Sequence, residues 1–453
     1  MIARAVRVAP ANAFAIAFSA LVLLAITLAS ARATEIQRVV SPGGIEAWLV
    51  EDYTNPLIAV DFAFAGGASQ DPQGKEGLAR MVSSLLDEGA GDLDSEAYQL
   101  RLKDSAVQLS FSALTDSFSG SLETLATRKD EAFDLLHLAI TSPRFDADPV
   151  ERIRGQIKVG LKRDETDGDR VVSLALFGDI FADHPYGRPT RGTADSVDRI
   201  TSDDLKAYHS HVLAKDTLKI GVVGAIDAAT LGPALDRIFG DLPDKADLKA
   251  VPETQAKTSG VFELSKLDIP QSSILFALPA LKRDDPDFMT AYVVNHIFGG
   301  GSFSSRLYEE VREKRGLVYS VYSYLYPFDH AGVLIAGAGT QNARVGETLD
   351  VVRAEVARMG AEGPSADELA KAKRYLVGAY PLRFDTSDKI ASQLVQIQME
   401  NLGIDYINKR NSMIEAVTLD DARRVAREIF NPDKLAVAIA GEPQGVIKAP
   451  TGG

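Results

Sequence analysis

The stretch Thr201-Ser-Asp-Asp-Leu205, followed by Leu218-Lys-Ile-Gly-Val-Val-Gly224, occurs twice in this chain. It returns as Thr418-Leu-Asp-Asp-Ala422 followed by Leu435-Ala-Val-Ala-Ile-Ala-Gly441, each piece 217 positions after its first copy. In both copies a threonine before an acidic turn predicts a capped helix start, and an apolar run closed by glycine predicts a strand. Because separate blocks share one offset, we interpret the pattern as an internal duplication.

A third pair of blocks supports the duplication. Glu131-Ala-Phe-Asp-Leu-Leu136 corresponds to Glu347-Thr-Leu-Asp-Val-Val352, 216 positions later. Strands and helices interleave along the chain, and closely spaced strands such as 107–113 and 117–122 are typical of antiparallel hairpins. The predicted fold class is therefore α+β, with two homologous α/β-sandwich domains, each a mixed, largely antiparallel sheet with helices packed on it.

The domain boundaries follow from composition. Residues 242–260 are rich in Pro, Asp, Lys, Ala and Thr and have little apolar periodicity, which is typical of a linker. We therefore predict an N-terminal domain over residues 34–241 and a C-terminal domain over residues 261–445, followed by a tail over residues 446–453.

Composition excludes several classes of protein. The chain has 453 residues with 45% hydrophobic and 25% charged residues, which are ordinary globular values rather than those of a disordered or multi-span membrane protein. A net charge of −14 argues against nucleic acid as a partner. Since there is no cysteine, disulfides, thiolate zinc sites and cysteine nucleophiles are excluded.

The first 33 residues have the features of a secretory signal peptide. Arg4 and Arg7 precede an apolar stretch over residues 13–29, and Ala31-Arg-Ala33 is a small-x-small cleavage site. The alternative is a membrane anchor, but the length and the cleavage site favour removal after Ala33. We expect an exported, periplasmic protein with no stable membrane anchor after cleavage.

The six histidines do not form a motif. No two have the i, i+4 spacing that places both imidazoles on one helix face. His184 lies in the loop Asp183-His-Pro-Tyr-Gly-Arg-Pro189, without a visible metal partner. A serine hydrolase is also disfavoured, because no Gly-x-Ser-x-Gly elbow is present.

A glycine-rich stretch, Phe298-Gly-Gly-Gly-Ser-Phe-Ser-Ser-Arg306, lies between two predicted helices. Three glycines free the backbone to take positive φ and to approach a peptide closely. A phosphate loop is less compatible, since the Gly-Lys-Ser/Thr ending is missing. An ordinary flexible connection remains the alternative.

The stretch Val311-Arg-Glu-Lys-Arg-Gly-Leu-Val-Tyr319 joins a charged helix, ending at Gly316, to a strand that starts at Leu317. Arg312 near the helix end and Tyr319 near the strand start are expected to converge on one spot. The alternative is a solvated helix residue and a sheet aromatic without a shared function.

With these stretches the chain resembles the pitrilysin/insulinase family of inverted-motif zinc peptidases, in the bacterial branch similar to mitochondrial processing peptidase. The matching segments are residues 66–71 with 77–80, 184–189, 299–308 and 312–319. The resemblance implies a duplicated α+β domain, in agreement with the repeat.

The family's catalytic motif, H-x-x-E-H with a further Glu about 75 to 80 residues on, is degenerate here. Arg80 and Ser84 stand where the resemblance places the two zinc ligands, and Ser83 stands where it places the glutamate base. The downstream position falls near residues 159–161, none of which is acidic. We therefore expect no metal and no cofactor in this chain.

The resemblance gives Arg312 and Tyr319 the role of an Arg/Tyr pair that binds substrate and supports the carbonyl oxygen during attack. It gives Gly299, Gly300, Gly301 and Ser302 the role of a substrate-binding loop, shorter here than in the family. It implies the non-zinc subunit of a periplasmic heterodimeric metalloendopeptidase that binds peptide, whose zinc lies in a homologous partner subunit. The alternative is a catalytically inactive peptide-binding or scaffold protein of the same fold.

Overall fold

The computed structural model describes residues 35–446. The predicted signal peptide over residues 1–33 lies outside the described residues, and so does the predicted tail from residue 447 onward. In the described range, no helix has both the length and the apolar composition needed to cross a bilayer.

Six strands form the first sheet, in the order β1-β2-β6-β3-β5-β4. They are β1 (Gln37–Val40), β2 (Glu46–Glu51), β3 (Leu57–Ala65), β4 (Gln108–Ala113), β5 (Ser117–Leu125) and β6 (Lys219–Gly224). β2 and β6 pair in parallel, and the other neighbours pair antiparallel. Along β3 the side chains alternate, so that Phe62 and Phe64 enter the core of this half and Ala59 packs on the opposite face.

Five strands form the second sheet, in the order β7-β11-β8-β10-β9. They are β7 (Phe262–Lys266), β8 (Gln271–Pro279), β9 (Val318–Phe328), β10 (Ala331–Gln341) and β11 (Ala436–Gly441). β7 and β11 pair in parallel and the rest antiparallel, so this sheet repeats the order and directions of β2-β6-β3-β5-β4. The predicted α+β fold class with internal duplication is confirmed.

Helices cover both sheets. They are α1 (Leu78–Ser83), α2 (Ser95–Asp104), α3 (Lys129–Thr141), α4 (Ala147–Asp164), α5 (Gly168–Ile180), α6 (Ala194–Asp198), α7 (Ser202–Val212), α8 (Ala228–Phe239), α9 (Phe288–Asn295), α10 (Val345–Glu362), α11 (Ala366–Gly378), α12 (Ser387–Met399), α13 (Tyr406–Ala416) and α14 (Leu419–Ile429). The two largest apolar cores lie between each sheet and its own helices.

One helix of each half packs on the sheet of the other half. Leu176 of α5, in the first half, belongs to an apolar cluster with Ala438 of β11. Leu394 of α12, in the second half, packs with Trp48 and Val223 of the first sheet. Burial of these faces is worth about 1.5 to 3 kcal/mol for each large aliphatic side chain, so the exchange ties the two halves together.

The repeat that begins at Thr201 and Thr418 has the predicted structure in both copies. The Thr201 and Thr418 hydroxyls accept hydrogen bonds from the backbone N–H groups three residues on, at 3.3 and 3.1 Å. Gly224 and Gly441 end their strands with φ of 136° and 148°. A Cβ at Gly224 would meet the Leu57 carbonyl oxygen at 2.1 Å, so this position requires glycine.

The segment 242–260 contains neither helix nor strand, as a linker should, yet it is bonded to both halves. Lys249 exchanges hydrogen bonds of 2.8 and 3.1 Å with the Gln70 side chain in the first half. The Thr254 N–H donates to the His330 carbonyl oxygen at 3.0 Å in the second half. These bonds fix the segment on the surface.

Candidate functional site

The turn before α1 is positioned by one buried carboxylate. Asp71 accepts hydrogen bonds from the N–H groups of Gly77 and Ala79, at 2.7 and 2.8 Å. Burial raises the pKa of Asp71 to about 7, although these N–H bonds act in the opposite direction. Gly77 has φ of 93°, and a Cβ there would lie 2.8 Å from the Arg191 carbonyl oxygen. The glycine and the aspartate thus fix where α1 begins.

The degenerate zinc motif lies on and just after α1. The Ser83 and Ser84 hydroxyls both donate to the Arg80 carbonyl oxygen, at 2.8 and 3.0 Å. The hydrogen of each hydroxyl is therefore already engaged in a bond to the helix backbone. Arg80 and Ser84 line a cavity of about 130 Å³ together with Gly160 of α4. The structure therefore brings the predicted motif and the predicted downstream segment to one place.

The groups at that place do not fit Zn²⁺. A guanidinium, a hydroxyl and a glycine offer neither an imidazole nor a carboxylate in the three ligand positions. Among residues 35–446, no cluster of three His, Asp or Glu is arranged to hold a metal ion.

The cavity carries positive charge. Burial lowers the pKa of Arg80, and the nearby guanidiniums of Arg191 and Arg170 lower it further, while Asp164 acts in the opposite direction. Asp164 is bonded to Arg191, with Nη1 and Oδ2 2.9 Å apart. One carboxylate therefore faces three guanidiniums.

Arg312 and Tyr319 converge as predicted. The Arg312 guanidinium carbon lies 4.7 Å from the ring centre of Tyr308 and 5.5 Å from that of Tyr319. Tyr319 is 82% exposed on β9, which is an edge strand. Tyr308 was not singled out from the sequence, although its position four residues before Arg312 places both side chains on one helix face.

The glycine stretch differs from the predicted flexible loop. Gly299 and Gly300 belong to a π-helical continuation of α9 (His296–Gly300), and none of Gly299, Gly300 and Gly301 has positive φ. A Cβ at Gly299 would meet the Ser323 hydroxyl oxygen at 2.5 Å. These glycines allow the helix to pack closely against β9, so the interpretation from positive φ was wrong.

The residues after the glycines are more open. Ser302 has φ of 47°, and Phe303 is 77% exposed with its ring centre 5.0 Å from that of Tyr308. Tyr308 contacts both Phe303 and Arg312, so this end of the stretch lies near Arg312. A substrate-binding role for residues 299–302 stays a prediction.

His184 has a structural role. Its Nε2 lies 2.9 Å from the Pro252 carbonyl oxygen, and its Nδ1 accepts from the Tyr186 N–H at 3.2 Å. Because both ring nitrogens are bonded to the protein, neither is left for a metal.

Comparison with known proteins shows which family the chain is similar to. The sequence profile of the peptidase M16 inactive domain matches residues 199–376. A crystal structure of a peptidase M16 inactive domain from Pseudomonas fluorescens superimposes with a TM-score of 0.84 and 28% identity, covering 90% of this chain and 98% of that one. Over most of its length the chain is similar to proteins of the peptidase M16 family. The predicted resemblance to pitrilysin/insulinase peptidases is confirmed.

Two relatives of this chain have contrasting names. It is 29% identical to the non-peptidase homolog YmxG of Helicobacter pylori, over 74% of this chain and 78% of the relative. It is 27% identical to an uncharacterized zinc protease of Streptomyces coelicolor, over 77% and 74%. The match to the inactive domain, together with the replaced ligands at Arg80 and Ser84, supports an M16 protein of the non-catalytic type.

Proposed function

We propose that this M16 protein is the non-zinc subunit of a periplasmic heterodimeric metalloendopeptidase. The observation that carries the proposal is the contrast between its two halves. Residues 80 and 84, where the resemblance places zinc ligands, are Arg and Ser, and the downstream position near residues 159–161 has no acid. By contrast, the Arg312 guanidinium contacts the rings of Tyr308 and Tyr319 and forms no salt bridge among residues 35–446.

The Arg312/Tyr319 pair has the chemistry to stabilise a developing oxyanion. A guanidinium and a phenol O–H are both donors, and donors held in place before the reaction lower the barrier by stabilising charge that forms only in the transition state. The ring contacts with Tyr308 and Tyr319 orient the guanidinium plane. The zinc site of a homologous partner subunit would supply the activated water.

β9 suits the binding of an extended peptide. It lies at the edge of the second sheet, so its outer backbone N–H and C=O groups have no strand partner in the part of the chain that the structure describes. A peptide added as a further strand would pass Tyr319, whose side chain is exposed on the same strand. The peptide would thus be held by main-chain hydrogen bonds beside the Arg312/Tyr319 pair.

The test is peptidase activity of the chain alone and of the chain with a co-expressed M16 partner that has an intact H-x-x-E-H. We expect no activity from either subunit alone and EDTA-sensitive activity from the complex. Appreciable EDTA-sensitive activity in the lone chain would refute the assignment. A stable complex in which this chain adds nothing to the partner's activity would favour the scaffold function instead.

The compartment is part of the same proposal. Its support is the sequence before residue 34, with Arg4 and Arg7, an apolar stretch and the site at Ala33. Intact mass of the protein from a periplasmic extract should correspond to a chain that starts at Thr34. A mass that includes Met1 would contradict export with cleavage.

A further inference from the structure

The cavity at the degenerate zinc motif has a larger cavity beside it. The cavity lined by Arg80 adjoins a cavity of about 720 Å³, and the two share Leu161, Asp164 and Arg191. A volume of this size accommodates a drug-sized ligand or a few residues of a peptide. The larger cavity is also lined by Arg170, at the start of α5.

Charges around the two cavities are unbalanced. Lys158 is paired with Asp198 at 2.7 Å, and Lys162 is paired with Glu165 at 2.6 Å. Asp164 is occupied by Arg191. Neither Arg80 nor Arg170 forms a salt bridge within the described part of the chain.

An anion bound here would reduce the electrostatic repulsion between the neighbouring arginine side chains. Arg191 and Arg170 both act on the Arg80 guanidinium, and burial removes part of the water that would otherwise screen it. The protein as a whole carries a net charge of −14, so the positive charge around the cavity is opposite in sign to the net charge of the protein. Neutral polar donors, from Gln156 and Thr190, also line the walls.

We propose that Arg80, Arg170 and Arg191 form a binding site for a carboxylate group of a peptide, at the place where the family's catalytic members hold zinc. A guanidinium binds a carboxylate through two parallel hydrogen bonds, and guanidiniums line both cavities: Arg80 the smaller, Arg170 the larger and Arg191 both. The inference rests on the proposed function, since it assigns acidic peptides as the substrate class of the complex. The carboxylate can come from an acidic side chain or from the peptide's C-terminus.

Binding to the full chain without a partner tests the site. The probes are three fluorescent peptide pools with random neutral flanks: one with a central Glu and an amidated C-terminus, one with Gln and a free C-terminus, and one with Gln and an amidated C-terminus. Fluorescence anisotropy at low ionic strength should give about tenfold tighter binding for one of the first two pools than for the third. Which pool binds identifies the source of the carboxylate.

Charge variants show whether the cavity is responsible. Arg80→Gln and, separately, Arg170→Gln should remove most of the preference for the carboxylate. Arg163→Gln is the matched control, because Arg163 is exposed on α4 and lines neither cavity. Circular dichroism melting checks that each variant is folded, and Arg170, being exposed, can be replaced with little risk to folding.

Several outcomes would overturn the site. These are equal binding of all three pools, no measurable binding of any pool, equal losses in Arg80→Gln and Arg163→Gln, or displacement of the peptide by equimolar inorganic phosphate. Because no turnover is measured, failure here is separate from failure of the subunit assignment. A complex with EDTA-sensitive activity but no carboxylate preference would reject this inference alone.

Discussion

The guanidinium carbon of Arg312 lies 5.5 Å from the ring centre of Tyr319, although one residue is in a helix and the other is in a strand. The turn at Gly316, with φ of 57°, reverses the chain between them. The ring centre of Tyr308 lies 4.7 Å from the same guanidinium carbon. The two ring contacts favour one position of the guanidinium before any substrate arrives, and a group that stabilises a transition state benefits from being positioned in advance.

Tyr319→Phe tests the phenol as a donor. In the complex with a zinc-containing partner, we expect kcat to fall by about ten- to a thousandfold and KM to change little, because the lost hydrogen bond acts mainly in the transition state. Steady-state kinetics on one peptide would measure it. The control is Tyr53→Phe, since Tyr53 is 62% exposed in the first half. An unchanged kcat for Tyr319→Phe would reject the role.

Glu368→Gln tests a buried ion pair near the glycine stretch. Arg306 donates to Glu368 through Nε at 2.6 Å and Nη2 at 2.8 Å, and the Arg306 side chain is only 8% exposed. Replacing the carboxylate leaves the buried guanidinium without an opposite charge, so the free energy of unfolding at pH 7 should drop by about 2 kcal/mol. Urea unfolding would measure the drop.

The same pair predicts a pH dependence. Burial acts to raise the pKa of Glu368, but the hydrogen bonds from Arg306 and Ser365 lower it to about 2, from an ordinary 4.5. Since the folded-state pKa is the lower one, the contribution is present above about pH 4.5 and is lost as pH falls toward 2. Glu368→Gln should lack this part of the acid sensitivity. Asp385→Asn, in an exposed pair with Lys389, is the control and should change stability little; equal effects of the two variants would contradict the prediction.

Gly67→Ala and Gly155→Ala should change stability in opposite directions. A Cβ at Gly67 would lie 1.9 Å from the Leu114 carbonyl oxygen and 2.6 Å from that of Ser117, both backbone atoms, so we expect a loss of about 3 kcal/mol or more. Gly155 is exposed on α4 with nothing near its Cβ position, so alanine should add about 0.5 to 1 kcal/mol. Thermal melts would measure both. A tolerated Gly67→Ala would mean that the turn before α1 is less constrained than its contacts imply.

A rebuilt metal site tests the assignment of the replaced ligands. Arg80→His, Ser84→His and Gly160→Glu together should bind about one zinc ion per chain, because these positions line one cavity and the Gly160 Cβ position meets no other atom within 4 Å. Metal analysis after dialysis would measure it. The variant without Gly160→Glu should bind zinc more weakly. If the triple variant gains no zinc, positions 80, 84 and 160 do not correspond to the family's zinc-ligand positions.

Much of the fold could be predicted from local sequence. The helix that starts after Thr201 and the strand that ends at Gly224 depend on a cap, an apolar run and a positive φ, all of which are properties of a few neighbouring residues. The same holds for the copy at Thr418. The Arg312/Tyr319 convergence was predictable because a short, glycine-containing connection limits how far apart the two residues can lie.

Other features depend on contacts between distant segments. The apolar faces of α5 and α12 show that each helix is buried on one side, but not that each packs on the sheet of the other half. Gly299 was interpreted through its own backbone freedom, whereas its actual requirement comes from Ser323 on β9. The charge at the degenerate motif likewise arises from Arg170 and Arg191, far from Arg80 in sequence.

Residue order alone thus predicted the duplicated α+β fold and drew attention to Arg312 and Tyr319, because caps, periodicity and motif spacing act over short distances along the chain. The resemblance to a known family added the expectation that Arg80 and Ser84 stand in place of zinc ligands. Tertiary structure alone decided the helix exchange between the halves, the close packing at Gly299 and the gathering of Arg80, Arg170 and Arg191 around two adjoining cavities. Packing and electrostatics depend on distance in space, and folding brings together groups that the sequence keeps apart.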